Sequence, residues 1–317
     1  MTKLTSLLLI LVLIKIIDIE ASSCSWGNSS GSCFNTSLTK IPTDTPTGVV
    51  YLELNYNNIP NLSSGYLKGL DRLLKLMIVS NNVTRIDSDT FTATPNLEEL
   101  NLASNSLGKL EPGTFNGLNK VRRLQLFGNQ FDSIQPDTFS YLNTLEELDL
   151  SKNYLESLPS GIFNGLHVLQ ILHLQHNKLN KITLESFSEI TQLQYLYLRH
   201  NLIGEIQPGS FQHLQDLTTL HLSHNKLEYI DKHLFGGLQS ITVLYLDNNE
   251  ISALPVDVFE NSPSLINLDL SNNNIKSLYP GTFKSLTKLI SLDLAGNSLS
   301  SLQTGIFEGL IKLNLLN

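Results

Sequence analysis

The sequence predicts an α/β-class solenoid: a right-handed stack with a parallel β-sheet along one side and short 3₁₀ or turn segments along the other. Three observations predict it. The phrase L-x-x-L-x-L-x-x-N-x-L recurs eleven times, with its Asn at Asn57, Asn81, Asn105, Asn129, Asn153, Asn177, Asn201, Asn225, Asn249, Asn273 and Asn297, always 24 residues apart. Within each phrase apolar and polar residues alternate, the mark of a half-buried strand. Ten of the 13 Phe, namely Phe91, Phe115, Phe139, Phe163, Phe187, Phe211, Phe235, Phe259, Phe283 and Phe307, stand eight residues beyond the phrase's last apolar position. Units of fixed period cannot bury their apolar faces alone and gain a core only by stacking, so the period overrides the two-domain expectation that 317 residues would otherwise carry.

The chain opens with the layout of a secretory signal peptide, assigned to residues 1–23. Lys3 is a minimal basic region, residues 4–17 are apolar apart from Thr5, Ser6 and Lys15, and Ala21, Ser22 and Ser23 are small enough for cleavage. The alternative is a membrane anchor. The apolar stretch is shorter than the ~20 residues that span a bilayer, and Lys15 interrupts it. Four N-x-S/T sequons, at Asn28, Asn35, Asn61 and Asn82, agree with delivery to the extracellular side and are candidate glycosylation sites. The chain is therefore expected to be secreted or to sit on the extracellular face of the plasma membrane.

Residues 24–48 break the period and are rich in Ser, Gly, Asn, Thr and Pro, with Leu38 and Ile41 as the main apolar side chains. A solenoid end exposes the edge of its core, so a terminal unit of different composition reads as a cap. The chain's two cysteines, Cys24 and Cys33, lie here, and in an oxidising compartment they are expected to close into a disulfide.

Repeats run over residues 49–317. In the unit at 145–155, Leu148 and Leu150 face the core while Glu147, Asp149 and Ser151 face out. Strands repeated in one direction need right-handed crossovers, giving one parallel strand per turn and a sheet about 50 Å long at ~4.8 Å per strand. Where the chain leaves each strand, the Asn amide is expected to satisfy backbone groups that have lost their ladder partners. The Phe positions build a spine, with Leu67 in that place in the first unit. Pro112, Pro136, Pro208 and Pro280 lie near it and disfavour a long helix.

The phrase and its F-x-x-L second half resemble the 24-residue leucine-rich repeat of extracellular proteins. Resemblance implies a horseshoe with a concave parallel sheet whose concave face or edges bind other molecules. The S-L-T-K-I-P and T-P-T-G-V-V-Y-L stretches within residues 24–52 are similar to the N-terminal caps of Toll-like receptors, Slit-type proteins and the variable lymphocyte receptors of jawless vertebrates, which implies immune recognition as one setting. Those caps usually carry four cysteines where this one has two. At the other end a twelfth, unfinished repeat begins at 313–316, and the C-terminal cap that resemblance leads one to expect does not follow. That reads as a chain that continues, with self-association through an open apolar edge as the alternative.

Function must lie in the variable positions. No phosphate-binding loop, dinucleotide fingerprint, H-E-x-x-H helix or nucleophile elbow occurs, so no enzymatic role is expected. A formal charge of -8 and the lack of basic runs argue against nucleic-acid and anionic-membrane partners. The outward columns at four, two and one residues before each Asn change character along the chain. In turns six to nine they hold His173, Gln175, His176, Tyr197, Arg199, His200, His221, Ser223, His224, Tyr245, Asp247 and Asn248, with Tyr195 one step earlier. Large polar-tipped side chains with few rotors are the composition of protein-binding hot spots. The expected ligand site is therefore His173, His176, Tyr195, Tyr197, Arg199, His200, His221, His224 and Tyr245, and the expected partner is a protein or glycan on the concave face. A structural matrix or adhesion protein is the alternative. Three His in one column can ligate zinc with a fourth position open, but a strand-end position tolerates any polar residue and no carboxylate is recognisable behind them, so the column reads first as solvated surface and, ahead of metal, as a pH-sensitive contact. No cofactor or metal is expected.

Overall fold

The computed structural model describes residues 24–317, so the signal-peptide assignment at 1–23 lies outside the described residues. The main sheet has 14 strands. Its first two, Ser25–Trp26 and Ser30–Ser32, form an antiparallel pair, and the second of them runs parallel to Tyr51–Glu53 of turn one. From there the sheet is parallel to its last strand, Leu315–Leu316, with one strand per turn.

Register is set by the period. Leu172 lies opposite Leu148 on one side and Leu196 on the other, so equivalent residues meet at every step. The middle residue of each strand is buried and its neighbours are partly open, as alternation requires. Behind the sheet the Phe rings form stacked runs: Phe91, Phe115 and Phe139 at 6.3 and 5.9 Å, Phe163, Phe187 and Phe211 at 6.3 and 6.1 Å, and Phe235, Phe259 and Phe283 at 5.7 and 6.0 Å. Among the described residues the return path is mostly turns, with one 3₁₀ helix at Thr90–Ala93 and two short parallel strand pairs, Asn61–Leu62 with Arg85–Ile86 and Lys181–Ile182 with Glu205–Ile206.

The Asn amides act as the sequence leads one to expect. Asn153 donates from Nδ2 to the carbonyls of Leu126, Leu150 and Ser151 at 3.0–3.1 Å and accepts from the Phe131 amide at 3.2 Å. One side chain thereby ties two consecutive turns together. The residue before each Asn takes a left-handed conformation, whether it is Tyr56, Lys152, His176, His200 or His224. That column is thus a corner and not the end of a strand. Ser151, expected to face out, is buried, and the Asp149 carboxylate accepts its amide at 2.8 Å.

Turns also pack backbone on backbone. Gly165 has φ +86°, and a Cβ there would lie 2.6 Å from the Ser140 carbonyl oxygen, so glycine is required by both conformation and space. Before turn one, Cys24 and Cys33 are disulfide-bonded with Cα atoms 4.2 Å apart, and Cys33, Leu38 and Ile41 join the core. Asn28, Asn35 and Asn82 are exposed; Asn61 is half-buried and its Oδ1 accepts from Ser63 Oγ at 3.1 Å.

Candidate functional site

Turns six to nine place the candidate residues on adjacent strands: Ile171–His173, Tyr195–Tyr197, Thr219–His221 and Val243–Tyr245. Parallel strands in register stack equivalent side chains at roughly the ~4.8 Å strand spacing. Two rows of rings result. On the sheet, His173 stacks on Tyr197 with centroids 4.7 Å apart, Tyr197 and His221 follow at 6.4 Å, and His221 and Tyr245 at 4.5 Å. At the left-handed corners, His176, His200 and His224 stack at 4.5 and 4.2 Å. Eight of the nine expected residues fall in or between these rows. Tyr195 stands at the flank and is 36% exposed.

A polar row runs between the two ring rows. It consists of Gln175, Arg199, Ser223 and Asp247, of which only Arg199 belongs to the expected ligand site. Arg199 Nη2 lies 3.2 Å from His200 Nε2. A guanidinium has donors only, so His200 Nε2 accepts, and the ring is neutral with its proton on Nδ1. Gln175 Nε2 likewise donates to His173 Nδ1 at 3.4 Å, leaving the His173 Nε2 proton directed toward Glu147 Oε1 at 3.8 Å. Ser223 Oγ makes a very short hydrogen bond to Asp247 Oδ1 and sits 3.1 Å from His221 Nδ1. With its proton given to the carboxylate, the serine oxygen accepts from His221, so the trio does not activate a nucleophile.

Burial is the main influence on these imidazoles. It pushes His221 down to about 4, with Arg199 adding to the effect and Asp247 opposing it. Burial also lowers His200, helped by His224, His176 and Arg199, and lowers His176, helped by Arg199, Lys152 and His224. Burial raises the Tyr197 hydroxyl. Around the Arg199 guanidinium, burial thus holds His176, His200 and His221 toward their neutral forms. Beyond it Asp269 is raised by burial, against two hydrogen bonds from Ser271.

Two buried polar atoms here lack partners, Arg199 Nε and Gln175 Oε1. Leaving a buried polar group unpaired costs ~1–3 kcal/mol, and more on a charged group. Both residues line an open depression of about 550 Å³ that also touches Lys152, His173, His176, Tyr197 and His221. A second depression of about 320 Å³ shares Arg199 and His221 with it and extends to Tyr245, Asp247 and Asp269.

The ring stacks do not form a metal site. Stacked imidazoles point their in-plane nitrogen lone pairs side by side and not toward one centre, and His200 Nε2 is already held by Arg199. Among the described residues no group of three or more His, Cys, Asp or Glu side chains is arranged to hold an ion.

The leucine-rich-repeat family model matches at residues 71–131, 128–179, 143–203, 191–251 and 239–299. No curated protein matches at a significant level. Among solved structures, a leucine-rich-repeat protein of Leptospira interrogans is 31% identical, with TM-score 0.77 over 89% of this chain and 70% of that one. A chain from the octameric complex of Latrophilin 3, Unc5D and FLRT2 is 28% identical, with TM-score 0.79 over 86% of this chain and 83% of its own. A chain of the Drosophila Toll–Spatzle complex is 25% identical, with TM-score 0.67 over 80% of this chain and 37% of its own. With matches covering more than half its length and its Leu, Asn and Phe columns in register throughout, the chain belongs to the leucine-rich-repeat family.

Proposed function

We propose that the chain is an extracellular recognition module that binds a protein partner across the strand face of turns six to nine. One observation carries this: eight aromatic or imidazole side chains and a guanidinium cluster over four adjacent turns, with two buried polar atoms at their centre left without partners. Rings stacked on one another are already ordered, so little entropy is lost when a partner covers them. Arg199 and Gln175 line the open depression, and because their Nε and Oε1 are buried without partners, a partner that rearranges these side chains can satisfy both.

The wider reading has separate support. The disulfide between Cys24 and Cys33 favours an oxidising compartment, as does the signal layout at 1–23. On this reading residues 24–48 cap the first edge of the solenoid, and Asn28, Asn35 and Asn82 carry glycans on their exposed side chains. The similar chains in the FLRT2 and Toll complexes come from assemblies with other proteins, which favours a protein over a glycan as partner here. The Toll likeness and the N-terminal segment favour immune recognition as the setting.

The test begins with a partner selected from a display library of secreted and cell-surface proteins. Replacing both Tyr197 and Tyr245 with Ala should weaken that partner at least about thirtyfold, the scale of an interface hot spot. Unchanged affinity would remove the patch from the interface.

A further inference from the structure

Arg199 offers a specific chemistry inside the patch. The side edge of a guanidinium, its Nε and Nη2 protons, matches a carboxylate in a bidentate pair. Here one of the two Nη2 protons goes to His200 Nε2 at 3.2 Å, and Nε, on the side edge, is buried without a partner, so a ligand reaches it only when a neighbouring side chain moves. His200 holds its place only while neutral, because a protonated imidazole has no acceptor and repels the guanidinium. We infer that the Nε and Nη2 edge of Arg199 is a subsite for an acidic side chain of a protein partner, capped by neutral His200 and opened when His200 gains a proton. The inference rests on the recognition reading for its biological setting.

Groups on every neighbouring turn bear on the gate. Lys152 on turn five and Arg199 itself oppose protonation of the stack, as do the rings on one another. Asp247 on turn nine favours it at His200. Burial raises the flanking Tyr197 hydroxyl, and His221 on turn eight is held neutral well into the acid range. Glu147 and Asp149 stand on one side and Asp247 and Asp269 on the other, so acidic groups frame the guanidinium. A single carboxylate fits between them; a polyanion such as nucleic acid or a sulfated glycan would meet repulsion at both ends.

A carboxylate that displaces His200 stabilises its protonated form, so binding should take up a proton and strengthen as pH falls. The probe is the tripeptide acetyl-Gly-Asp-Gly-amide, titrated into the full chain with His ring signals followed by NMR. Its affinity should be at least about tenfold higher near pH ~5 than near pH ~7.5, spanning the ordinary imidazole range while aspartate stays ionised. The Asn counterpart of the peptide should not bind. Arg199→Lys keeps the charge but loses the paired edge, and should weaken binding about tenfold. His200→Ala removes the cap and should bring affinity near pH ~7.5 close to the acid value.

Equal binding of the Asp and Asn peptides, or of wild type and Arg199→Lys, would overturn the carboxylate subsite. Wild-type pH dependence in His200→Ala would overturn the gate. Tighter, Arg199-dependent binding of an oligonucleotide or of heparin-like oligosaccharide would overturn the partner class. A macromolecular partner indifferent to the Tyr197 and Tyr245 substitutions would remove the recognition reading and leave the peptide result standing.

Discussion

Asn177 shows how much one residue carries in a stacked fold. Its Oδ1 accepts the Leu155 amide at 3.0 Å and its Nδ2 donates to the Leu150 and Leu174 carbonyls at 3.0 Å. Asn177→Leu is apolar and close in size, yet it leaves those backbone groups unpaired at ~1–3 kcal/mol each. The urea midpoint should fall clearly, and an unchanged midpoint would mean that the amide column is dispensable. This column was legible in the sequence because backbone groups at a strand exit need one side chain with both donors and an acceptor. The link between Arg199 and His200 was not legible. The two are neighbours in the chain, and only the left-handed backbone at His200 and the stacking on its neighbours turn Nε2 toward the guanidinium.

The same imidazoles make stability depend on pH, and the sign follows from their shifts. His176, His200 and His221 all have folded values below the ordinary 6.5, with His221 near 4. Below pH 6.5 the unfolded chain therefore binds more protons than the folded one. Stability is complete above that point and falls as pH drops toward about 4, where His221 takes its proton. The melting temperature should decline between pH ~7 and pH ~5, and His221→Gln should flatten the decline. A decline of the same slope in that variant would exclude His221 as a cause.

At the scale of elements, each turn contacts its neighbours alone, so local damage should stay local. The disulfide closes a short loop before turn one, and by chain entropy a loop of ~10 residues is worth about 2–3 kcal/mol. Replacing Cys24 and Cys33 with Ser should speed hydrogen exchange in the Ser25–Trp26 and Ser30–Ser32 strands and in turn one, while turns five to nine keep their protection. Loss of protection throughout would mean that the solenoid unfolds as one unit. Strands, register and the Phe spine follow from period alone, which is why they could be read ahead. The left-handed corner is marked in part: Gly128, Asn248, Asn272 and Gly296 are types that favour a positive φ, while Tyr56 and Lys152 at the same place are not. Its geometry comes from the Asn beside it and from the turn below. Ser151 departs from expectation for a related reason: it lies past the end of the Glu147–Asp149 strand, where the in-and-out alternation no longer holds.

The whole molecule is a uniform scaffold with a non-uniform surface. The interior columns repeat in all turns, and the strand face differs from turn to turn, passing from Met77, Asn101 and Gln125 through the ring rows to Asp269 and Asp293. The extent of the ring rows was legible because the columns are fixed by period. The polar row beneath them was not, because Gln175, Ser223 and Asp247 matter through the hydrogen bonds they make and not through their types.

The most direct measurement is an alanine scan of the residue four before each Asn, from Met77 in turn two to Asp293 in turn eleven, against a selected protein partner. Affinity should fall at least about tenfold at each of Tyr197 and Tyr245, fall at His173 and His221 as well, and change less than about twofold at Met77, Asn101 and Asp293. A profile whose largest losses lie outside turns six to nine, or a flat one, would contradict the account.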